Sequence, residues 1–408
     1  MLTEQKQRIP GGPPDGFDPS QDMRAWIEQN FNLYGDIYRA NIFGKSAYVV
    51  SSPDYAQHVL RNNWSNYIKG LAIKRIAMLL GNGLMVSEGE FWIKQRRMIQ
   101  PAFHRDAVSS FYEVMRTANL RLLEKWARAA QQNESVNVTS DVSLMVLEVT
   151  LRALFSVDYV EVAPFFNILH DDPSRNLGFA QKFVKLRQTV IELVERRRGN
   201  PIDDADILGI LMEARDQGGQ PMPDDQLVAE IITIIVAGHE TTASMLNMIW
   251  YLVSQNAEVE RRLSDELEVM VKGKFPAMEN LPNFTYTRLI IDEALRLYPP
   301  GWLMTRRAKK DDRLGDYFVP AGTEIYISPY IIQRHPDLWA EPISFHPQRF
   351  NSTDVRERGK AFGRDAPVFY WPEKLHRRVL CAHRNAGALD HRREQASVAV
   401  RRQGRAGI

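Results

Sequence analysis

Apolar residues recur along this chain at helical spacing over long stretches and at strand spacing over only a few. The spacing predicts a helix over residues 53–62 and helical periodicity through most of 91–216, including a long segment over 107–131. It predicts one long helix over 224–255 and another over 257–273 with its charges on one face. A shorter helix over 285–298 is stopped by Pro299-Pro300. Strand spacing is confined to residues 38–41 and 47–51, a hairpin around Phe43-Gly44-Lys45, and to 306–308 and 324–328, joined through Val319-Pro320-Ala321-Gly322. Residues 8–16 read as an irregular arm. There is no internal repeat and no linker long enough to separate independent domains. The pattern therefore predicts a mainly α fold with a minor β region, in one domain.

One helix departs from its own pattern. The run Ile231-Ile232-Thr233-Ile234-Ile235-Val236 is resumed by Ala243, Met245, Leu246, Met248, Ile249 and Trp250, but between them stands Ala237-Gly238-His239-Glu240-Thr241-Thr242. A glycine and a carboxylate in the middle of a buried helix cost stability. Something other than packing is expected to keep them there.

Composition narrows the chemistry. The sequence of 408 residues is 44% hydrophobic and 25% charged. That is enough for a sizeable core. A formal charge of +2 argues against a nucleic-acid binder. The single cysteine, Cys381, forbids an internal disulfide and fits a reducing compartment. No uninterrupted apolar run reaches the roughly 18 residues of a membrane span. Residues 1–7 are polar and lack a signal-peptide core. The expectation is a cytoplasmic protein without a membrane anchor, in a bacterial rather than a microsomal setting.

Two further groupings carry possible chemistry. Glu293 and Arg296 are three apart on a helix and share a face, and Arg349 follows in Phe345-His346-Pro347-Gln348-Arg349-Phe350. A Glu between two Arg side chains makes a buried ionic cluster if all three are well bonded; two surface ion pairs are the plainer alternative. Trp92 and Arg96 stand at i and i+4, so an indole N–H and a guanidinium facing one way would suit a carboxylate. A packed Trp on an amphipathic helix is the plainer alternative there. His239-Glu240-Thr241-Thr242 begins like the zinc motif H-E-x-x-H, but Ala243 replaces the second ligand. His104, His335 and His346 show no ligand spacing and read as structural.

Taken together, the order and spacing of these motifs resemble the cytochrome P450 family of haem-thiolate monooxygenases, from about residue 10 to residue 350. The hexapeptide at 237–242 resembles that family's oxygen-activation motif. Glu293-Ala294-Leu295-Arg296 is similar to its E-x-x-R, and Pro347-Gln348-Arg349-Phe350 to its P-E-R-F with Gln for Glu. Tyr298-Pro299-Pro300-Gly301-Trp302 through Arg306, and Trp92-x-x-x-Arg96, resemble the segments that hold the haem propionates. The resemblance implies haem b (iron) as cofactor, with Glu240 and Thr241 delivering protons to bound oxygen and Gly238 loosening the helix beside it. It implies Trp92, Arg96 and Arg306 at the propionates and Glu293, Arg296 and Arg349 as a structural ion cluster. It also implies O2, a small apolar substrate, and electrons from a ferredoxin or flavodoxin-type donor with its reductase.

The pattern breaks at the end of the chain. The family's F-x-x-G-x-x-x-C-x-G loop, which carries the iron's thiolate, is absent. Cys381 lies in Arg377-Arg378-Val379-Leu380-Cys381-Ala382-His383, with no Gly four before it or two after. Such glycines let the loop turn tightly and aim N–H groups at the sulfur. As the only thiol, Cys381 is the one candidate for the iron. The alternative is a frameshift near Pro367. Read one base on, Trp371-Pro372 must give Gly, and permitted codons turn residues 368–378 into Phe-Ser-Ile-Gly-Pro-Lys-Ser-Cys-Thr-Gly. Only that first Gly is forced. Residues 1–366 are thus expected to form the P450-like catalytic domain and 367–408 an aberrant Arg-rich tail. If the shift is real, the chain is a non-catalytic remnant with little or no haem binding. The stretch 155–196, the family's substrate lid, reads as short. Phe165, Phe166, Ile168, Leu177 and Phe179 are candidates to line it or to pack a core.

Overall fold

The computed structural model describes residues 8–165, 177–200, 206–271 and 275–351, with the side chains of 75, 105–106, 177–180 and 182 excepted. In chain order the principal elements are α1 (Met23–Tyr34), β1 (Ile37–Ile42), β2 (Lys45–Val50), β3 (Tyr67–Lys69), α2 (Leu71–Leu80), α3 (Gly89–Ile99), α4 (Tyr112–Gln131) and α5 (Val138–Phe155). They continue as α6 (Leu177–Gly199), α7 (Ile207–Glu213), α8 (Asp224–Ser254), α9 (Ala257–Val271), α10 (Thr285–Leu297), β4 (Met304–Ala308), β5 (Asp312–Leu314), β6 (Tyr317–Val319) and β7 (Glu324–Ile327). The architecture is mainly α with a small β region, as the periodicity predicts.

The chain has no linker, and it divides into two compact units: residues 8–78 with 293–351, and residues 79–292. The chain passes from one to the other inside α2 and α10. Hydrophobic periodicity tells which face of an element is buried, not which neighbours bury it.

The first unit is built on a sheet of order β1-β2-β7-β4-β3, in which only β2 and β7 run parallel. Side chains alternate across it with the strand period of two. Ile37, Tyr48, Val50, Ile325 and Ile327 pack on one face with Val59 and Leu314; Tyr38, Ala40, Ala47, Val49 and Tyr326 pack on the other with Trp26 and Ile27. The β5–β6 hairpin goes beyond the predicted strands, although Leu314-Gly315-Asp316-Tyr317 carries a two-residue turn signal. Gly315 sits at φ 57°, and a Cβ there would lie 2.7 Å from the Tyr55 hydroxyl oxygen. Both the conformation and the space favour glycine. Asp312 opens that hairpin and fastens it. Its Oδ2 accepts from Tyr67 Oη (2.6 Å) and Asn63 Nδ2 (2.9 Å) and lies 2.9 Å from His58 Nε2. The helix predicted over 53–62 widens to a π turn from His58, which brings His58 and Asn63 to this carboxylate.

The same unit contains the Glu293–Arg296–Arg349 cluster, and it is buried rather than on the surface. Arg296 Nε and Nη2 donate to the two oxygens of Glu293, both at 2.8 Å. Nη1 donates to the carbonyls of Gln333 and Pro342, and Nη2 also to that of Ser344. All five guanidinium N–H groups are thereby used. Glu293 Oε1 also accepts from the His346 amide and from Arg349 Nε. The Trp339 ring lies 5.0 Å from the Arg296 guanidinium carbon, close enough for a cation–π contact. The side chains of Arg296 and Glu293 are almost wholly inaccessible. Charges persist at such depth because each is paired and hydrogen-bonded.

The second unit is helical. α5 is buried nearly all round, as its apolar composition demands, and packs against α4 and α8. Its buried Asp141 accepts from Lys125 Nζ (2.6 Å) and Trp126 Nε1 (2.8 Å). A second buried guanidinium, Arg197 on α6, grips Asp206 with two hydrogen bonds and also reaches the Phe155 carbonyl. The helix predicted over 107–131 is interrupted at Phe111, where ψ is 2°. There the Ser110 hydroxyl donates to the Ala107 carbonyl, a local bond that competes with helix continuation. By length and composition α8 could cross a membrane, but 67% of its apolar window is buried inside the protein, as for a core helix.

Two outcomes follow from these bonds. Arg296→Lys replaces five planar donors by three and strands buried carbonyls, so it should destabilise the fold by about 3 kcal/mol or more in denaturant unfolding. A loss under about 1 kcal/mol would contradict the saturation argument. Burial pushes the Asp312 carboxyl up, but hydrogen bonds from Tyr67, His58, the Arg313 amide and Asn63 outweigh it and hold the group below its ordinary value. Its stabilisation is therefore complete above the usual carboxylate range and lost as pH falls through the lower folded value. Asp312→Asn should be less stable than the parent at neutral pH, and the gap should close in acid; a gap independent of pH would refute this.

Candidate active site

The helix that carries the odd hexapeptide changes character halfway. Every residue of α8 from Gln226 to Ile235 is buried. From Val236 a stripe opens at helical spacing: Ala237, Thr241, Asn247 and Met248 are half-buried, and Glu240, Ser244 and Tyr251 are exposed. His239, Thr242, Ala243, Met245 and Leu246 remain in the core. The hexapeptide is therefore split, with its acid and first alcohol on the open stripe and its histidine and second alcohol inside.

Two readings of that segment need adjusting. Glu240 is exposed, so no desolvation cost of the kind expected for a buried acid attaches to it. Gly238 does not loosen the helix, which stays α-helical throughout. A Cβ at Gly238 would stand 3.4 Å from Thr150 Cγ2 on α5, ordinary contact, so this glycine lies where α8 passes α5. The neighbouring contacts are specific. The Thr241 hydroxyl donates to the Ala237 carbonyl one turn back, at 2.7 Å. That bond leaves the hydroxyl's oxygen lone pairs for a second partner. His239 Nε2 lies 3.2 Å from the Ser143 carbonyl oxygen of α5, so the ring serves helix packing, as its buried position requires.

Trp92 and Arg96 of α3 do face one way. The guanidinium carbon of Arg96 lies 5.0 Å from the Trp92 ring, and Arg96 is exposed. An exposed planar cation next to an indole donor is a set suited to a carboxylate. Arg306 occupies β4 in the other unit, paired in register with Lys69 and Ile325. It is half-buried, and its Nη1 donates to the Thr305 carbonyl at 2.9 Å. Cys381, and with it the whole tail 367–408, lies outside the described residues, as do Phe166 and Ile168 and the side chains of Leu177 and Phe179. Among the described residues no group of three His, Cys, Asp or Glu could hold a metal ion. Sequence reading missed Glu230, a wholly buried acid one residue before the apolar run of α8. The signal was there, since an acid flanked by Leu227-Val228-Ala229 and Ile231-Ile232 breaks the pattern as Glu240 does.

Comparison with known proteins agrees with this picture. The family model for cytochrome P450 matches residues 17–164 and 159–364. Among curated relatives, a cyclooctat-9-en-7-ol 5-monooxygenase of Streptomyces melanosporofaciens is 30% identical over 346 residues, covering 79% of this chain and 74% of that protein. A pentalenene oxygenase of Streptomyces avermitilis is 29% identical over 383 residues, covering 88% of this chain and 84% of that protein. A solved structure of retinoic acid bound cyanobacterial CYP120A1 superposes with a TM-score of 0.79 over 92% of each chain at 22% identity, a likeness of fold. With its fold matched across nearly its whole length and the family model across most of its sequence, this protein belongs to the cytochrome P450 family of haem-iron monooxygenases.

Proposed function

We propose that the chain binds haem b and inserts one atom of O2 into a small apolar organic substrate. The second oxygen atom leaves as water, with two electrons supplied by a ferredoxin or flavodoxin-type carrier and its reductase and two protons drawn from solvent. The observation that carries this reading is the open stripe of α8, where an exposed acid and a half-buried alcohol stand side by side on an otherwise core helix. The haem, when bound, supplies dioxygen activation and electron storage, chemistry no side chain offers.

The chain's own residues then have distinct tasks. Glu240, being exposed, exchanges protons with bulk water and can feed them inward. Thr241, with its hydrogen already given to the Ala237 carbonyl, accepts a hydrogen bond from water and so fixes it on the stripe. For Thr241 itself to pass a proton, its hydroxyl must swing off that carbonyl. By the family resemblance, Trp92 and Arg96 would hold one propionate and Arg306 the other. Cys381, the sequence's single cysteine, is the residue whose thiolate would hold the iron. A cytoplasmic location, with neither membrane nor nucleic acid as partner, fits this reading.

A second reading is favoured by one observation: the family match stops at residue 364, before the tail that should carry the thiolate loop. On that reading 1–366 is the catalytic scaffold, 367–408 is the product of a shifted frame near Pro367, and the chain is a non-catalytic remnant. The gene's nucleotide sequence discriminates. A Cys codon spanning Leu375 and His376 in the shifted frame supports the shift, which makes a remnant if the gene itself carries it and an ordinary monooxygenase if it is a reading error; its absence ends that idea.

Reduced protein treated with carbon monoxide should give the red-shifted Soret band of a thiolate-ligated haem, and Cys381→Ala should abolish it. Protein that stays colourless when expressed with ample haem precursor would refute the enzyme reading. In active protein, Thr241→Ala should lower product formation by about a hundredfold while oxygen consumption continues. Equal losses of both would argue against a proton-handling role.

A further inference from the structure

Ahead of the open stripe, α8 carries a buried acid that the proposed chemistry does not use. Glu230 is 0% exposed. Its Oε2 accepts from the Leu84 backbone N–H at 2.7 Å, and its Oε1 accepts from Gln226 Nε2 at 2.7 Å. Gln226 Nε2 donates in turn to the Asn82 carbonyl at 3.1 Å. The two side chains thus grip both ends of the short segment Asn82-Gly83-Leu84. Gly83 lies flat on the helix between them. A Cβ there would stand 2.1 Å from Thr233 Oγ1 and 2.7 Å from the Ala229 carbonyl oxygen. Only glycine allows so close an approach. Beyond it the loop closes on itself, with the amides of Val86 and Ser87 both donating to the Gly83 carbonyl. Leu84, Met85 and Val86 are half-buried apolar residues on that turn.

The place of this grip along α8 gives it meaning. At about 3.6 residues per turn, Gln226, Glu230, Thr233, Ala237, Thr241 and Ser244 fall on one face. The loop backbone therefore rests on the same face that carries Thr241 and meets it at Thr233, one turn before Ala237. We propose that Glu230 is a positioning residue for the substrate. Its carboxyl group fixes residues 82–87 at the head of the reactive stripe and thereby sets how bulky a molecule can stand beside Thr241. A buried acid serves here because each of its oxygens answers a different donor, one on the loop and one on the helix; an apolar residue of equal size would leave the Leu84 N–H buried without an acceptor.

The inference rests on the monooxygenase reading, and the experiment separates the two. The full chain, expressed with haem precursor, is compared with Glu230→Gln and Glu230→Leu by amide hydrogen exchange and by spectral titration with imidazole and 4-phenylimidazole. Glu230→Leu should speed exchange of the Leu84 amide by about tenfold or more while α5 stays protected. It should also shift the ratio of the two probe affinities severalfold, and Glu230→Gln, which keeps one acceptor, should fall between. Unchanged Leu84 protection overturns the proposal. So does lost protection with an unchanged affinity ratio, since that would make the grip purely structural. Should Glu230→Leu fail to fold, Gln226→Leu, which removes the bonds to Asn82 and Glu230 but keeps the one from Leu84, should shift the affinity ratio in the same direction with less change in Leu84 exchange, and an unchanged ratio overturns the proposal. If the parent shows no haem absorbance, the monooxygenase reading fails, and Leu84 exchange alone decides whether Glu230 holds the loop.

Discussion

One constraint governs the helical unit: α8 is core all round along its first half and carries an open stripe along the second. A helix buried on every side from Gln226 to Ile235 cannot rotate or slide, because each residue has a packing partner. That rigidity fixes the azimuth of everything beyond Ile235. Thr241 and Glu240 face outward because Ile231, Ile232, Ile234 and Ile235 are locked inward. His239 against the Ser143 carbonyl and Gly238 beside Thr150 repeat the same fastening against α5. Side chains on a rigid helix are positioned more closely than side chains on a loop.

Buried charge is handled in one way throughout. Arg296 and Arg197 are both nearly inaccessible, and each meets a carboxylate through two hydrogen bonds and at least one backbone carbonyl. The carbonyls of Gln333, Pro342 and Ser344 belong to a segment with little regular structure, so the guanidinium takes the place of a hydrogen-bonding ladder. Such a centre specifies one geometry for the irregular chain around it, which apolar packing alone would not.

The parts of this fold that can be read from sequence are those whose information is local. α8 is legible within a residue or two because its apolar face is long, and α10 because Pro299-Pro300 stops it. The β1–β2 hairpin is marked by its glycine turn. The break at Phe111 is not legible, since it depends on which carbonyl a serine hydroxyl takes. Nor is the division into two units, since β2 pairs with β7 across most of the length of the chain, a distance no local pattern links. At the site, the acid–alcohol pair stands out as a violation of periodicity, but its exposure does not, because an acid in an apolar run reads alike whether its face is open or closed. Glu230 shows the converse: the same kind of violation, wholly buried, answering two amides.

The Trp92–Arg96 stack has a consequence for anion recognition. An arginine extended into water has several rotatable bonds to freeze when it meets a ligand, and that ordering works against affinity. With its guanidinium carbon 5.0 Å from the Trp92 ring centroid, Arg96 has a partner that narrows this freedom. A neighbouring indole thus lowers the ordering cost that an arginine on an open surface would carry into any contact with an anion.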